Sequence, residues 1–343
     1  MLKTFRQSSQ QRPGVVLTRT PLRVSFAGGG TDLSDFYEHD YGAVLSTAID
    51  KYIYVTVKRH GEVFDEKIRL SYSKSESVNV VDQVQNNIAR ECLRFLQIEP
   101  PIYISTVGDL PASTGLGGSS SFAVGLLNAL HAFRGERVSA GQLAEEACYI
   151  EIEVLKEPIG KQDQYAAAFG GLNFLRFNRG GGVTVEPVRV KNGTLKNLFS
   201  HCMIFWTGHQ RDTNHVLSEQ KVNTAGKMGH LLRMREHAHR LHSLVCSGEF
   251  DPEAFGGMLD ETWQLKRQLA HTISNPKIDE WYERAIRAGG SGGKICGAGG
   301  GGFLLIVARP ERHEVVRRAL QELQQVPIRH EVQGSQAILP FLD

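Results

Sequence analysis

The segment of residues 110–121, Leu-Pro-Ala-Ser-Thr-Gly-Leu-Gly-Gly-Ser-Ser-Ser, combines glycines with hydroxyl side chains in a way that suits phosphate binding. It lies between a predicted strand and a predicted apolar helix. The N-terminus of such a helix presents unpaired N–H groups and a partial positive charge. Glycines let the backbone approach an anion, and Ser119 to Ser121 offer hydroxyls to phosphate oxygens or Mg²⁺. The structural alternative is a glycine turn capped by serine.

The spacing in this second glycine loop (residues 110–121) excludes two common phosphate-binding motifs. No lysine follows its glycines as the Walker A pattern GxxxxGK[ST] requires, and Ser120 stands where GxGxxG has its last glycine. A phosphate loop here would therefore be of another type.

Two further glycine loops accompany it. The first glycine loop (residues 20–32) is an apolar strand that carries Arg23 and ends on three glycines followed by Asp32. Its simpler interpretation is a β-turn with a solvated aspartate. The third glycine loop (residues 294–303) runs directly into an apolar strand, which linkers seldom do. With 36 glycines in 343 residues, clustered in this way, the chain is predicted to assemble one site from distant segments.

Hydrophobic periodicity predicts the elements that must position these loops. Predicted strands cover residues 15–27, 42–58 (as one strand or two), 67–72, 102–107, 172–177, 183–190, 201–207, 302–307 and 328–332. Predicted helices cover residues 78–96, 119–133, 140–155, 212–246, 252–271, 277–288 and 311–324. A change of composition near residues 192–200 predicts a flexible tail (1–14), an N-terminal domain (15–195) and a C-terminal domain (196–343).

Composition and charge exclude several classes of protein. The chain has 39 Lys and Arg against 37 Asp and Glu, so no net field would attract nucleic acid or an acidic membrane. It has no apolar run long enough for a membrane span, and residues 1–14 lack the apolar core of a signal peptide. Its five cysteines are too widely spaced for a CxxC zinc site or a disulfide framework. These features predict a soluble, cytoplasmic protein.

The order and the residue patterns of the three loops resemble those of the GHMP kinase superfamily over roughly residues 15–335. The family's middle motif, Pro-x-x-x-Gly-Leu-Gly-(Ser)-Ser, is matched from Pro111 to Ser119, with Gly118 in place of the first Ser. The resemblance implies an α+β, two-domain GHMP kinase fold, with an N-terminal half like ribosomal protein S5 domain 2 and a ferredoxin-like C-terminal half. It also implies a monomeric or homodimeric enzyme that transfers phosphate from ATP, with Mg²⁺, to a sugar hydroxyl.

The resemblance assigns roles to individual residues. Asp163 falls at the catalytic aspartate and Arg23 at the basic residue beside it, although two residues separate Gly160 from Asp163 where several relatives have one. Ser119 and Glu151 fall at the metal ligands, with Glu153 as the alternative acid. ATP contacts are expected from Pro111, Gly115, Leu116, Gly117, Gly118, Ser119, Ser120 and Ser121. Substrate contacts are expected from Gly29, Gly30, Thr31, Asp32, Lys161, Gly299 and Gly300.

Overall fold

The computed structural model of the chain describes residues 14–61, 63–208, 213–247 and 250–341, so nearly all of the predicted N-terminal tail lies outside the described residues. The strands are β1 (Val15–Ala27), β2 (Gly42–Arg59), β3 (Ile68–Ser71), β4 (Ser75–Val78), β5 (Ile102–Gly108), β6 (Leu172–Phe177), β7 (Val183–Pro187), β8 (Cys202–Trp206), β9 (Gly290–Ile295), β10 (Phe303–Ala308), β11 (Gln324–Val326) and β12 (Gln336–Phe341). The helices are α1 (Ser34–Tyr37), α2 (Asn87–Phe95), α3 (Gly118–Phe133), α4 (Ala140–Cys148), α5 (Gln162–Phe169), α6 (Thr194–His201), α7 (Thr213–Asn223), α8 (Met228–Cys246), α9 (Pro252–Lys266), α10 (Pro276–Arg287) and α11 (His313–Ala319).

The first sheet is built on β1 and β2. Its order is β12-β1-β2-β5-β3-β4, and β6 and β7 extend it from the other end of β2. The long strand β2 pairs with β6 over Gly42 to Thr47 and with β5 over Ile53 to Arg59, so the predicted stretch is one strand with two successive partners. All pairings are antiparallel except β3 with β5. This arrangement carries the end of β1, and the glycines of the first glycine loop that follow it, to the edge of a cleft.

A buried layer of helices covers one face of this sheet. Helix α3 packs on β1 and β2, and twelve of its residues are buried, which matches its predicted apolar character. Helices α2, α4 and α5 surround α3 and complete an apolar core around residues such as Leu126 and Val55. Because α3 is held on several sides, its N-terminus is fixed at the cleft.

The second sheet has the order β11-β8-β10-β9 and is antiparallel throughout. Helix α9 packs on β9, and α8 packs on both α9 and β2. A shared apolar cluster joins the two halves, with Phe26 edge-on to Phe255 at a ring-centroid distance of 5.2 Å. The halves are therefore packed together behind the glycine loops.

Several predicted elements differ from the structure, and the long helix predicted over residues 212–246 is divided into α7 and α8. The helix predicted over residues 78–96 begins only at Asn87, because the Glu76 carboxylate accepts hydrogen bonds from the N–H groups of Gln85 and Asn86, and Asn86 then caps the helix. The helix predicted over residues 140–155 continues past Cys148 as a π-helical segment, Tyr149–Val154. The strand predicted over residues 328–332 is wrong.

The last strands lie on either side of that stretch. β11 belongs to the second sheet, whereas β12 returns to the first sheet and pairs with β1. The proposed C-terminal domain thus gives its last strand to the sheet of the N-terminal one. Within the described ranges, no helix is long and apolar enough to cross a membrane.

Candidate active site

A cleft of about 400 Å³ lies where the three glycine loops meet. Its lining includes Arg23 and Asp32 of the first loop, Ser119 of the second, and Gly297 of the third. Glu151 and Asp163 complete it from the π-helical segment and from α5. The site predicted from separate segments is therefore brought together in one place.

Arg23 and Asp163, which both line the cleft, form a bidentate ion pair. Arg23 Nε donates to Asp163 Oδ1 and Nη2 donates to Oδ2, both at 2.7 Å. Arg23 Nη1 also donates to the carbonyl of Gly115 at 2.7 Å, which ties the pair to the second glycine loop. Gly117 lies directly against the pair, since a Cβ there would be 3.4 Å from Asp163 Oδ2. The pair uses two carboxylate lone pairs and leaves others to face a ligand.

The second glycine loop positions the N-terminus of α3. Gly117 adopts a φ of +77° before the helix, and the first helical hydrogen bond runs from Ser121 N–H to the Gly117 carbonyl. The N–H groups of Gly118, Ser119 and Ser120 therefore have no partner within the helix. Ser119 is exposed to the cleft, as a phosphate ligand must be.

The second and third glycine loops pack backbone to backbone. Phe303 N–H donates to the Thr114 carbonyl at 3.2 Å. A Cβ at Gly297 would lie 2.5 Å from Gly115 Cα, and one at Gly302 would lie 2.3 Å from the Thr114 carbonyl oxygen. Glycine is therefore required sterically at both positions.

Glu151 is a buried carboxylate on the same side of the cleft as Ser119. It is 1% exposed, and Oε2 accepts a hydrogen bond from Gln164 Nε2 at 2.7 Å. Burial raises the pKa of Glu151 to about 7, and the negative charge of Asp163 acts in the same direction. The hydroxyls of Ser119 and Ser120 and the Gln164 amide oppose the shift. A cation bound at this carboxylate would remove the cost of its charge.

The oxygen atoms around Glu151 fit a hard divalent cation such as Mg²⁺. Ser120 Oγ is buried yet lacks a hydrogen bond of normal geometry, and the Ser119 hydroxyl lies close by. Glu153, the alternative acid, points elsewhere, since its side chain is 61% exposed and pairs with Lys156. The geometry therefore favours Glu151 over Glu153.

Asp32 is almost fully buried at the end of the first glycine loop. Its carboxylate accepts hydrogen bonds from Gly30 N–H at 2.8 Å and from Gln162 N–H at 3.3 Å. Burial nevertheless raises the pKa of Asp32 above its ordinary value. A Cβ at Gly160 would lie 2.0 Å from Asp32 Oδ2, so the segment before Asp163 closes on the first loop.

Several predicted contact residues do not line the cleft. Lys161 Nζ donates to the Gly181 carbonyl at 2.6 Å and lies over the Tyr37 ring, so its charge is directed away. Gly299 and Gly300 pack against Ile273 instead. The remaining residues placed outside the lining are Thr31 (hydroxyl bonded to the Gly28 carbonyl), Ser121 (hydroxyl bonded to the Pro21 carbonyl), Leu116 (core) and Pro111 (exposed).

Other lining residues were not singled out from the sequence. Gln162 precedes Asp163, and Lys294 begins the third glycine loop, so their positions in the sequence could have indicated that they line the cleft. Asn214 and Gln220 come from α7, whose polar sequence gave no such signal. Asn214 Nδ2 donates to Glu157 Oε2 at 2.6 Å, and both residues line the cleft.

Two family models match the chain, and both matched segments contain residues that line the cleft. The GHMP kinases N terminal domain matches residues 79–171, and the GHMP kinases C terminal domain matches residues 242–325. The chain belongs to the GHMP kinase family. It is therefore a phosphotransferase with an alcohol group as acceptor, and its two-domain α+β fold is that of the family.

Individual relatives resemble the chain over most of its length. A D-glycero-alpha-D-manno-heptose 7-phosphate kinase of Campylobacter jejuni is 29% identical over 90% of this chain and 94% of its own. The crystal structure of a D-glycero-D-manno-heptose 1-phosphate kinase from Bacteroides thetaiotaomicron is 26% identical, with a TM-score of 0.76 and coverage of 94% and 98%. Lactococcus lactis galactokinase, solved with galactose, shares the fold at 16% identity, a TM-score of 0.73 and 97% coverage of both chains.

Proposed function

We propose that this GHMP kinase phosphorylates the anomeric hydroxyl of D-glycero-D-manno-heptose 7-phosphate with ATP and gives the 1,7-bisphosphate. The bidentate Arg23–Asp163 pair, which lies against Gly117 at the N-terminus of α3, is the observation that carries the proposal of phosphoryl transfer to a hydroxyl. The Campylobacter jejuni relative supports the choice of sugar. The product would supply nucleotide-activated heptose for surface polysaccharide, with the reaction in the cytoplasm.

In this proposal Asp163 orients the acceptor hydroxyl and takes its proton as the phosphoryl group transfers. Arg23 holds both oxygens of that carboxylate, which fixes the rotamer and leaves the remaining lone pairs toward the acceptor. Because Arg23 also holds the Gly115 carbonyl, one side chain sets the distance between base and phosphate loop.

The free N–H groups of Gly118, Ser119 and Ser120 would receive the phosphates of ATP. Glu151 and Ser119 would hold Mg²⁺, which neutralises charge on the transferring phosphate when it is bound. The buried, partly unsatisfied Ser120 hydroxyl beside Glu151 supports this assignment.

A second candidate acceptor is an unphosphorylated sugar of the fucose or galactose type. Among the described lining residues the cations are Arg23, Lys266 and Lys294, and each already contacts a protein group. Lys161, expected among the substrate contacts, is bonded to Gly181. A non-catalytic sugar sensor is disfavoured, because a sensor does not need a metal-ligand carboxylate beside a paired catalytic aspartate.

The test is the product formed from ATP, Mg²⁺ and each of heptose 7-phosphate, L-fucose and D-galactose. Coupled ADP release gives the rates, and mass and phosphorus NMR identify the phosphorylated position. We expect heptose 7-phosphate to give the highest kcat/KM and a 1,7-bisphosphate. Faster turnover of L-fucose or D-galactose would make that neutral sugar the proposed substrate. If none of the three sugars led to ADP release, the proposal of a sugar acceptor would be rejected.

A further inference from the structure

Polar groups with incomplete hydrogen bonding converge next to Gly29 of the first glycine loop. Ser25 Oγ and Gln162 Oε1 are buried and have no hydrogen-bond partner, and both residues line the cleft. A Cβ on Gly29 would lie 3.8 Å from Ser25 Oγ and 3.5 Å from Gln162 Nε2, so both side chains lie against Gly29. Their unsatisfied atoms therefore belong to one small region.

Lys294 forms the third wall of that region. Its side chain is 2% exposed, and Nζ donates to the carbonyls of Ser25 at 2.7 Å and Phe26 at 3.4 Å. These bonds use two of the three N–H groups of an ammonium. No carboxylate accepts from it among the bonds of the described residues, and burial lowers its pKa to about 8.

Buried polar atoms without partners cost stability, and a bound ligand that completes their hydrogen bonds removes that cost. Here the ligand must enter from the cleft, because all three side chains line it. Gln162 Oε1 can only accept, Lys294 can only donate, and Ser25 can do either. A hydroxyl group, which both donates and accepts, satisfies this combination.

An anionic group fits the region poorly. Asp32 lies next to Gln162 and accepts a hydrogen bond from its backbone N–H, and Asp163 follows Gln162 directly in the chain. A phosphate there would approach two carboxylates and an amide oxygen, and only Lys294 would oppose the repulsion.

We infer that Ser25, Gln162 and Lys294 form a subsite for neighbouring hydroxyls of the acceptor, and that any phosphate on the acceptor lies outside it. The inference rests on the proposed function and deepens it, since it selects a polyhydroxylated acceptor. It also assigns specificity to residues beside, and distinct from, the Arg23–Asp163 pair.

Ser25→Ala and Gln162→Leu test the subsite with whichever of heptose 7-phosphate, L-fucose and D-galactose the parent phosphorylates. Each should raise KM for the acceptor by about tenfold, the value of one hydrogen bond, and leave KM for ATP within about twofold. Ser25→Ala should leave Tm unchanged or higher, because it removes a buried hydroxyl that has no partner. An unchanged acceptor KM in both variants, or an equal rise for ATP, would overturn the inference.

Thr18→Val is the matched control on the same strand. Its hydroxyl is buried but bonded to the Gly125 carbonyl at 2.8 Å and lies outside the cleft. It should lower Tm without changing either KM, which separates a packing effect from a substrate contact.

Mono-deoxy forms of the accepted sugar give the decisive comparison. At least one deoxy form should cost the parent about tenfold in kcat/KM and cost Ser25→Ala or Gln162→Leu less than twofold. Additive losses for every deoxy form would overturn the subsite while leaving the proposed function intact. A parent enzyme that phosphorylates no sugar would instead reject the proposed function.

Discussion

At the scale of single residues, Asp163 is the group on which the proposed chemistry depends most directly. Asp163→Asn keeps the size of the side chain and removes its ability to accept a proton. We expect kcat to fall by about two to four orders of magnitude while KM for ATP stays nearly constant. Steady-state kinetics with ADP detection measures both constants, and turnover at the parent rate would remove Asp163 from the mechanism.

Glu151 should make the stability of the metal-free protein depend on pH. Its folded pKa, about 7, lies above the ordinary value of 4.5, so its contribution to stability is complete below pH 4.5 and is lost as pH rises through 7. Glu151→Gln, which stays neutral, should therefore be more stable than the parent at pH 8, by at most about 3 kcal/mol. Urea unfolding without Mg²⁺ or nucleotide should show the gap closing toward pH 5, and a gap independent of pH would contradict the shift.

The same substitution should raise the Mg²⁺ concentration needed for half-maximal rate, because it removes a charged oxygen ligand. Glu153→Gln is the control, since it changes an exposed carboxylate two positions along the same segment. A large shift for Glu153→Gln and none for Glu151→Gln would transfer the metal to the exposed acid.

At the scale of elements, the contact between the second and third glycine loops should control ATP binding. Gly297→Ala places a Cβ against Gly115, at a φ of +69°. Displacement of Gly115 would disturb the carbonyl that Arg23 holds, so we expect KM for ATP to rise about tenfold or more.

Gly180→Ala separates that clash from backbone strain. Gly180 has a similar φ of +77° with no atom within 4 Å of the added Cβ, so both variants bear the cost of a left-handed alanine, about 1 kcal/mol. It should lower Tm slightly and leave KM for ATP unchanged. Equal kinetics in the two variants would mean that the contact between the loops is unimportant.

The elements also indicate what sequence could and could not predict. β1, β6 and α3 carry strong local patterns, and the glycine loops next to β1 and α3 could be recognised from residue types alone. The π-helical segment that turns Glu151 inward and Glu153 outward has no such pattern, because register depends on packing around Gln164. The direction of Lys161 was unpredictable for a similar reason, since its amine donates to the carbonyl of Gly181, 20 residues further along the chain.

At the scale of the whole molecule, the pairing of strands that are distant in the chain was the feature least predictable from the sequence. β12 joins β1 across more than 300 residues of chain, and local composition contains no information about that partner. The helix of Asp163, α5, was also missed, because its short run of small residues is buried by α3 and α4 rather than marked by periodicity. Residue types thus predicted the chemistry better than the connections that assemble it.

Lys294 links the two sheets, since it extends from β9 to the carbonyls of β1. Its folded pKa of about 8 lies below the ordinary 10.5, so burial of the charged amine destabilises the protein fully below pH 8 and progressively less up to pH 10.5. Relative to Lys294→Met, the parent should therefore gain up to about 3 kcal/mol of stability between pH 8 and pH 10.5. The two hydrogen bonds lost in Lys294→Met add a constant to the difference in unfolding free energy between parent and variant. The test is therefore how that difference changes with pH. Lys58→Met, at an exposed position of β2, is the control, since it removes a lysine charge from the surface. A flat difference for Lys294→Met would mean that burial does not lower the pKa of its amine.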